Sequence, residues 1–239
     1  MGDAMAKGDP ARTAASAIKD LILTRGLRPG DPMPTEAELM EELAVSRSSI
    51  REAVRTLVAL DLLQVRHGTG TFVGQMSLRP LVEAVVFRGV LNPGEGYESL
   101  RDVIEVRLGL DFALAPRVVE RLAHTDAPEL RASVEAMLAA AERNETSPDA
   151  DRAFHLQLAD RLGNRLYGEL VGAFWDIHRA MSPRLGLASR RDVTETAQAH
   201  ADLLAAAMAG DLAGYRGSIQ AHYAPLIRVL DQARDAQAS

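Results

Sequence analysis

The chain has 239 residues, 47% of them hydrophobic but only 4% aromatic, a net charge of −6 and no cysteine. The missing cysteine excludes disulfides, thiolate catalysis and cysteine-bound zinc, and no apolar run approaches the roughly 20 residues that span a bilayer; a soluble, cytoplasmic protein is expected. The acidic balance argues against non-specific nucleic-acid binding, and a core rich in Ala and Leu points to helix packed on helix.

Residues 1–10, "MGDAMAKGDP", lack the apolar core of a signal peptide and read as a disordered leader. Periodicity predicts a helix over 11–26, with Ala17, Ile18, Leu21 and Ile22 on one stripe. "RPGDPMP" (28–34) reads as extended or turning. Thr35 then caps a short helix over 36–43, with Glu38 at the capping-box position. Ser46 caps a second helix running to about Leu60. "LLQVRHGTGTFV" (62–73) has the two β-prone runs and glycine-containing tip of a hairpin.

Beyond residue 76 the strand signals vanish. Helical periodicity covers about 78–90, 96–123, 126–144, 148–162, 164–181, 190–209 and 211–235. Ser147 with Pro148 starts a helix, "MSP" at 181–183 stops one, and Gly210-Asp211 closes one helix and opens the next. The expected fold is mainly α: a winged helix-turn-helix domain over 11–76 and an all-helical bundle over 77–235. The boundary falls near Gln75–Ser77.

Charge is unevenly placed. Residues 36–42 carry Glu36, Glu38, Glu41 and Glu42, whereas residues 46–75 carry Arg47, Arg51, Arg55 and Arg66 against Glu52 and Asp61. In a winged helix-turn-helix the second helix enters the major groove with its N-terminal residues facing the bases. Here that helix begins "SRSSIREAVRTL". Ile50, Ala53, Val54 and Leu57 fall on its inward stripe, and Arg47, Ser48, Ser49 and Arg51 on its outward N-terminal face. Arginine can pair bidentately with guanine, and serine reaches base edges or phosphate. The tip "RHGTG" offers a cation, an imidazole and bare backbone. Read alone, these arginines could equally be a solvated helix face.

The stretch "GDPMPTEAELMEELAVSRSSIREAVRTLVALDLLQVRHGTGTFV" resembles the winged helix-turn-helix of the GntR family of bacterial transcriptional regulators, over essentially all of residues 12–75. The resemblance implies that Arg47 and Arg51 read bases, that Ser48 and Ser49 hold phosphates, and that His67 and Gly68 form the wing contact. Many members carry arginine where this chain has Ala37, in "TEA", so operator preference is expected to differ there. The helices of 80–230 resemble the FCD ligand-binding domain of the FadR-type subgroup. "VIEVRLGLD" (103–111) is similar to its opening pattern, with Asp111 in place of the usual Glu. "DRAFH" (151–155) resembles its Asp-x-x-Phe-His motif, and "GN" at 163–164 fits the family pattern downstream of that motif.

The bundle also carries a constellation readable from spacing. Asp151 and His155 lie four apart and share a helix face. His200 lies ten residues before Gly210 and His222 eleven after Asp211. If two antiparallel helices meet at that turn, at about 1.5 Å rise per residue the two histidines stand side by side. Asp151, His155, His200 and His222 then form a three-nitrogen, one-oxygen set suited to a divalent transition metal: zinc first, with nickel or manganese as alternatives. The bland alternative is a set of isolated core or surface histidines. All four match the metal-binding positions of metal-containing FCD domains. By the same resemblance Arg107 is the effector-facing arginine, able to take a carboxylate bidentately; its alternative is a surface ion pair with Asp111. Asn164 is a second effector-facing candidate that could equally cap the next helix. Trp175 and Phe154 could line the pocket or simply fill core, and spacing links neither His124 nor His178 to the other ligand-type residues.

The expected function is a DNA-binding regulator, a repressor acting as a homodimer on pseudo-palindromic operator DNA and controlled by a small carboxylate bound at the metal site. A metal-dependent enzyme fused to a DNA-binding head and a pure metal sensor are the alternatives. No separate general base, Ser/His/Asp set or phosphate loop accompanies the metal-type residues.

Overall fold

The computed structural model describes residues 10–91, 96–181 and 189–237. Residues 1–9 of the leader lie outside the described residues, as do Ser182 and Pro183 of the expected stop. Two compact units divide between Pro80 and Leu81.

The first unit runs α1 (Pro10–Thr24), α2 (Glu36–Leu43), α3 (Arg47–Ala59), β1 (Leu63–Arg66) and β2 (Gly70–Val73). The Thr35 backbone N–H donates to Glu38 Oε2 at 2.7 Å, and the Glu38 N–H donates to Thr35 Oγ1 at 3.3 Å. That reciprocal pair starts α2. Ala44, left-handed at φ 52°, ends it. Ser46 Oγ accepts the Ser49 N–H and starts α3. Ile18, Ile50 and Leu57 close the helix contacts, with Leu63 and Val73 beneath the hairpin, all buried. Fully burying such a side chain stabilises the fold by roughly 1.5–3 kcal/mol.

The hairpin is antiparallel, with Leu63 opposite Val73 and Arg66 opposite Gly70. The 28–34 stretch is more than a loop. Pro32 bridges Phe72, and the Met33 N–H donates to the Thr71 carbonyl at 2.9 Å. Proline is tolerated there because an edge strand leaves one N–H side unpaired. Gly74 follows directly, and a Cβ on it would lie 2.1 Å from the Asp61 carbonyl oxygen. Only glycine allows that close return of the chain.

The second unit continues α4 (Arg79–Leu91), whose first residues belong to the first unit, then α5 (Gly96–Leu122), α6 (Pro128–Glu142), α7 (Pro148–Arg161), α8 (Arg165–Met181), α9 (Arg190–Ala209) and α10 (Leu212–Gln237). These ends fall within two residues of those read from periodicity. α9 closes on Gly210 at φ 75°, and Asp211 caps α10 by accepting the Gly214 N–H at 2.9 Å. α10 folds back along α9 and also packs on α5; α7 lies between α6 and α8. Leu122, Leu130, Phe154 and Ile219 are fully buried at the centre. Among the described residues no helix is long and apolar enough to cross a membrane.

Candidate metal centre and its cavity

Asp151 and His155 sit one turn apart on α7, and both face α9. His155 Nε2 lies 3.3 Å from Asp151 Oδ1, His200 Nε2 lies 3.2 Å from the same oxygen, and the two Nε2 atoms are 3.3 Å apart. Two donors each about 2.0–2.1 Å from one zinc, at the tetrahedral angle, are separated by roughly 3.3–3.4 Å. This triangle therefore has the spacing of one face of a coordination polyhedron. The Gly210 turn brings His222 to the same place: its ring centroid is 4.4 Å from that of His200 and 4.9 Å from that of His155. One donor atom from each of the three histidines lies within 4.8 Å of the others.

His200 Nδ1 lies 2.8 Å from the Thr196 carbonyl. A carbonyl only accepts, so Nδ1 donates to it, and Nε2 is the atom turned toward Asp151 and His155. Burial, aided by the Arg107 charge, pushes His155 down to about 4 against the pull of Asp151. Burial and the two neighbouring imidazoles push His222 well down. Burial alone would raise the Asp151 carboxyl, but the His155 and His200 rings outweigh it and hold it well below the usual range. A carboxylate oxygen and two imidazole Nε2 atoms thus stand within 3.3 Å of one another, a donor set of the kind that could hold a divalent cation. His222 Nδ1 is buried without a hydrogen-bond partner.

The cluster borders a cavity of about 400 Å³, whose wall includes Arg107, Asp151, Trp175, His178, Thr196 and His222. Arg107 comes from α5. Its Nε and Nη2 are buried and lack hydrogen-bond partners, and its guanidinium lies 5.5 Å from the centroid of the Tyr223 ring. Burial works against its charge, but Tyr223, Asp111 and Asp151 outweigh burial and keep it cationic. The surface pairing of Arg107 with Asp111 does not form. The Asp111 carboxylate instead accepts the hydroxyls of Tyr167 at 2.8 Å and Tyr223 at 2.6 Å.

Asn164 goes elsewhere. It is exposed, its Oδ1 accepts the Tyr167 N–H at 3.2 Å, and it does not line the cavity. Its polar atoms cap α8, so the structure does not bring this effector-facing candidate to the site. Phe154 packs edge-on to His155 and His200 from the core side. Trp175 and His178, one turn apart on α8 with rings 5.7 Å apart, do reach the cavity. Burial and the Arg107 charge lower the pKa of His178. No spacing rule links α8 to the other helices, so sequence reasoning misses His178. Its only signal is the three-residue step from Trp175. Exposed His124 stands apart in a left-handed turn.

In the first unit Arg47, Ser48 and Arg51 are exposed on the N-terminal turns of α3. Glu36 lies between the two arginines, 3.9 Å from Arg47 and 4.0 Å from Arg51. Pairs that long, in open water, contribute little. Ser48 and Ser49 hydroxyls both lie 2.9 Å from Ser46 Oγ. His67 and Gly68 form the exposed hairpin tip, Gly68 at φ 73°. Ala37 is exposed beside this face.

Comparison with known proteins matches two family models. The model of bacterial regulatory proteins of the gntR family covers residues 10–73, and that of the FCD domain covers 102–225. The chain is 29% identical over 172 residues to the galactonate operon transcriptional repressor of Escherichia coli (strain K12), covering 72% of this chain and 75% of that protein. It is 30% identical over 155 residues to the HTH-type transcriptional regulator LutR of Bacillus subtilis (strain 168), covering 63% of this chain and 67% of that one. A solved structure described as Streptococcus agalactiae GntR superposes with a TM-score of 0.60 at 24% identity, covering 91% of this chain and 99% of that chain. That likeness shows a shared fold.

Proposed function

The chain belongs to the GntR family of bacterial regulatory proteins, with an FCD domain as its second unit, and from that premise we propose how its operator affinity is controlled. It is a DNA-binding transcriptional regulator and not an enzyme. Relatives named as repressors support the same sign for this chain. Our reading is a cytoplasmic repressor acting as a homodimer on a pseudo-palindromic operator. Arg47 and Arg51 read bases, Ser48 and Ser49 hold phosphates, and the tip at His67 and Gly68 supports the duplex. Two copies multiply the few base pairs that one recognition helix can read.

Asp151, His155, His200 and His222 would hold the divalent metal, zinc first, with nickel or manganese as alternatives. Such an ion, when bound, supplies a Lewis-acidic anchor for a ligand oxygen. The chain's own contribution is selection. Arg107 takes the carboxylate of a small acid, held in place by the face of Tyr223. The observation that carries this reading is the pair of buried, unpartnered Arg107 nitrogens beside the histidine cluster. A buried charged donor without an acceptor costs on the order of 1–3 kcal/mol or more, so an acid that supplies one gains affinity.

Binding of that acid favours a state with lower operator affinity. A near-complete switch needs a preference of about 5.5 kcal/mol between the two states. The test is mass spectrometry for a bound acid, with metal analysis, on one sample of the purified full chain. About one metal per chain together with a carboxylate is expected. A protein that holds no divalent metal after loading and binds no acid would sink the reading.

A further inference from the structure

Arg107 and Asp111 lie four apart on α5, the spacing at which opposite charges on a helix meet. They do not pair. Each Asp111 oxygen is taken instead by a phenol from another helix. Oδ1 accepts the Tyr167 hydroxyl of α8 at 2.8 Å, and Oδ2 accepts the Tyr223 hydroxyl of α10 at 2.6 Å. Burial pushes both phenols up, with the Asp111 charge adding to it and the Arg107 charge opposing it, so both keep their protons and donate. Arg107 Nε and Nη2 are left buried and unpartnered.

The three partners stand differently toward the cavity. Tyr223 lines it and turns its ring to the guanidinium at 5.5 Å. Tyr167 and Asp111 do not line it. Whatever the Tyr167 hydroxyl does for a ligand in the cavity, it therefore does through Asp111. A carboxylate stripped of its phenol donors keeps its charge and loses its hydrogen bonds. The nearest arginine on its own helix is Arg107, whose two free nitrogens can take a carboxylate bidentately. That internal pair would occupy the atoms an incoming acid needs.

We propose that Tyr167 and Tyr223 are positioning residues that hold Asp111 away from Arg107, so that the guanidinium stays open to an acid. This rests on the carboxylate reading of Arg107, and the experiment separates the two. Calorimetric titration of the metal-loaded full chain uses lactate, succinate and gluconate. Tyr167→Phe keeps the ring and removes one donor; Tyr167→Phe with Tyr223→Phe removes both. The single variant loses fivefold or more toward each acid that the wild type binds, and the double variant tenfold or more. Adding Asp111→Asn to either removes the competing charge and returns affinity to within twofold of wild type. Loosened packing would not be repaired by that change.

Unchanged acid affinity in a folded Tyr167→Phe protein would overturn the proposal. So would a loss that Asp111→Asn does not restore. If the double variant does not fold, Tyr167→Phe with and without Asp111→Asn decides alone. Arg107→Ala losing the acids while the phenylalanine variants lose none leaves the carboxylate reading standing and removes this one. A wild type that binds none of the three acids removes both.

Discussion

His200 Nε2 lies 3.2 Å from Asp151 Oδ1, and the ring is turned to that oxygen by its own helix: Nδ1 meets the Thr196 carbonyl one turn back at 2.8 Å. Such a backbone bond to the far nitrogen fixes the ring's orientation and tautomer, as an outer partner does for a metal-ligating histidine. α9 thereby presents a prepared donor to α7 before any ligand arrives.

The first expected outcome concerns metal content. His200→Ala or His222→Ala should bring bound metal well below one per chain, measured by elemental analysis. The wild type should show a thermal shift on chelation that both variants lack, because a ligand held only by the folded state stabilises it by mass action, about 2.7 kcal/mol at a hundredfold excess over Kd. Wild-type metal content in both variants would mean that the cluster is core histidine packing and nothing more.

DNA reading should fail locally. Arg47→Ala and Arg51→Ala each remove a potential bidentate base contact, a loss of roughly 1–3 kcal/mol in operator binding. Both side chains are more than half exposed, at 73% and 56%, so the fold should be unaffected. Unchanged operator affinity for both, by footprinting at fixed salt, removes α3 as the reading helix.

Acid should destabilise the metal-free protein in a definite window. His155 falls from 6.5 to about 4 on folding, so the folded state holds fewer protons between those values. Its contribution is fully present above about pH 6.5, declines as the pH falls, and is lost near pH 4, a difference of a few kcal/mol. Bound metal should leave over the same fall in pH, since protons compete for the same nitrogen. Asp151 is also lowered, and its contribution fades only below its unfolded value of 3.8. Denaturant unfolding of metal-free wild type and His155→Ala from pH 7 to 4 checks this. Parallel profiles for the two proteins would refute the assignment.

Coupling should be separable from reading. Asp151→Ala removes a metal donor from the second unit and should blunt the response to acid, while effector-free operator binding stays near wild type. Loss of operator binding in the acid-free variant would instead make the cluster a structural support of the DNA-bound state.

The sequence carried the reading head nearly whole, because caps and turns are local chemistry: Thr35 with Glu38, Ser46, and the hairpin tip at Gly68. It did not carry the docking of Pro32 on Phe72 or the approach of Gly74 to Asp61, which depend on contacts across the unit. The cluster was legible because two of its residues share a helix turn and two lie at nearly equal distances from one Gly-Asp turn. Arg107 was ambiguous, since Asp111 at i+4 offered a local partner. Only the fold shows that Tyr167 and Tyr223 occupy Asp111 and that two buried guanidinium nitrogens, Nε and Nη2, stay unbonded. Asn164 had two readings, and the local one, the cap, is what forms. Trp175 and His178 depended on how α8 is rotated against α5 and α10, which no single-helix pattern encodes.

The central claim is that a carboxylate, received by Arg107 beside the metal, lowers operator affinity. Its most direct test is operator affinity of metal-loaded wild type and Arg107→Ala, each with and without a saturating small carboxylic acid. The account predicts that the acid weakens wild-type binding and leaves Arg107→Ala unchanged, although both proteins hold the metal and bind the operator equally without acid. An Arg107→Ala protein that responds as fully as wild type, or a wild type that responds to chelation alone and to no acid, would contradict it.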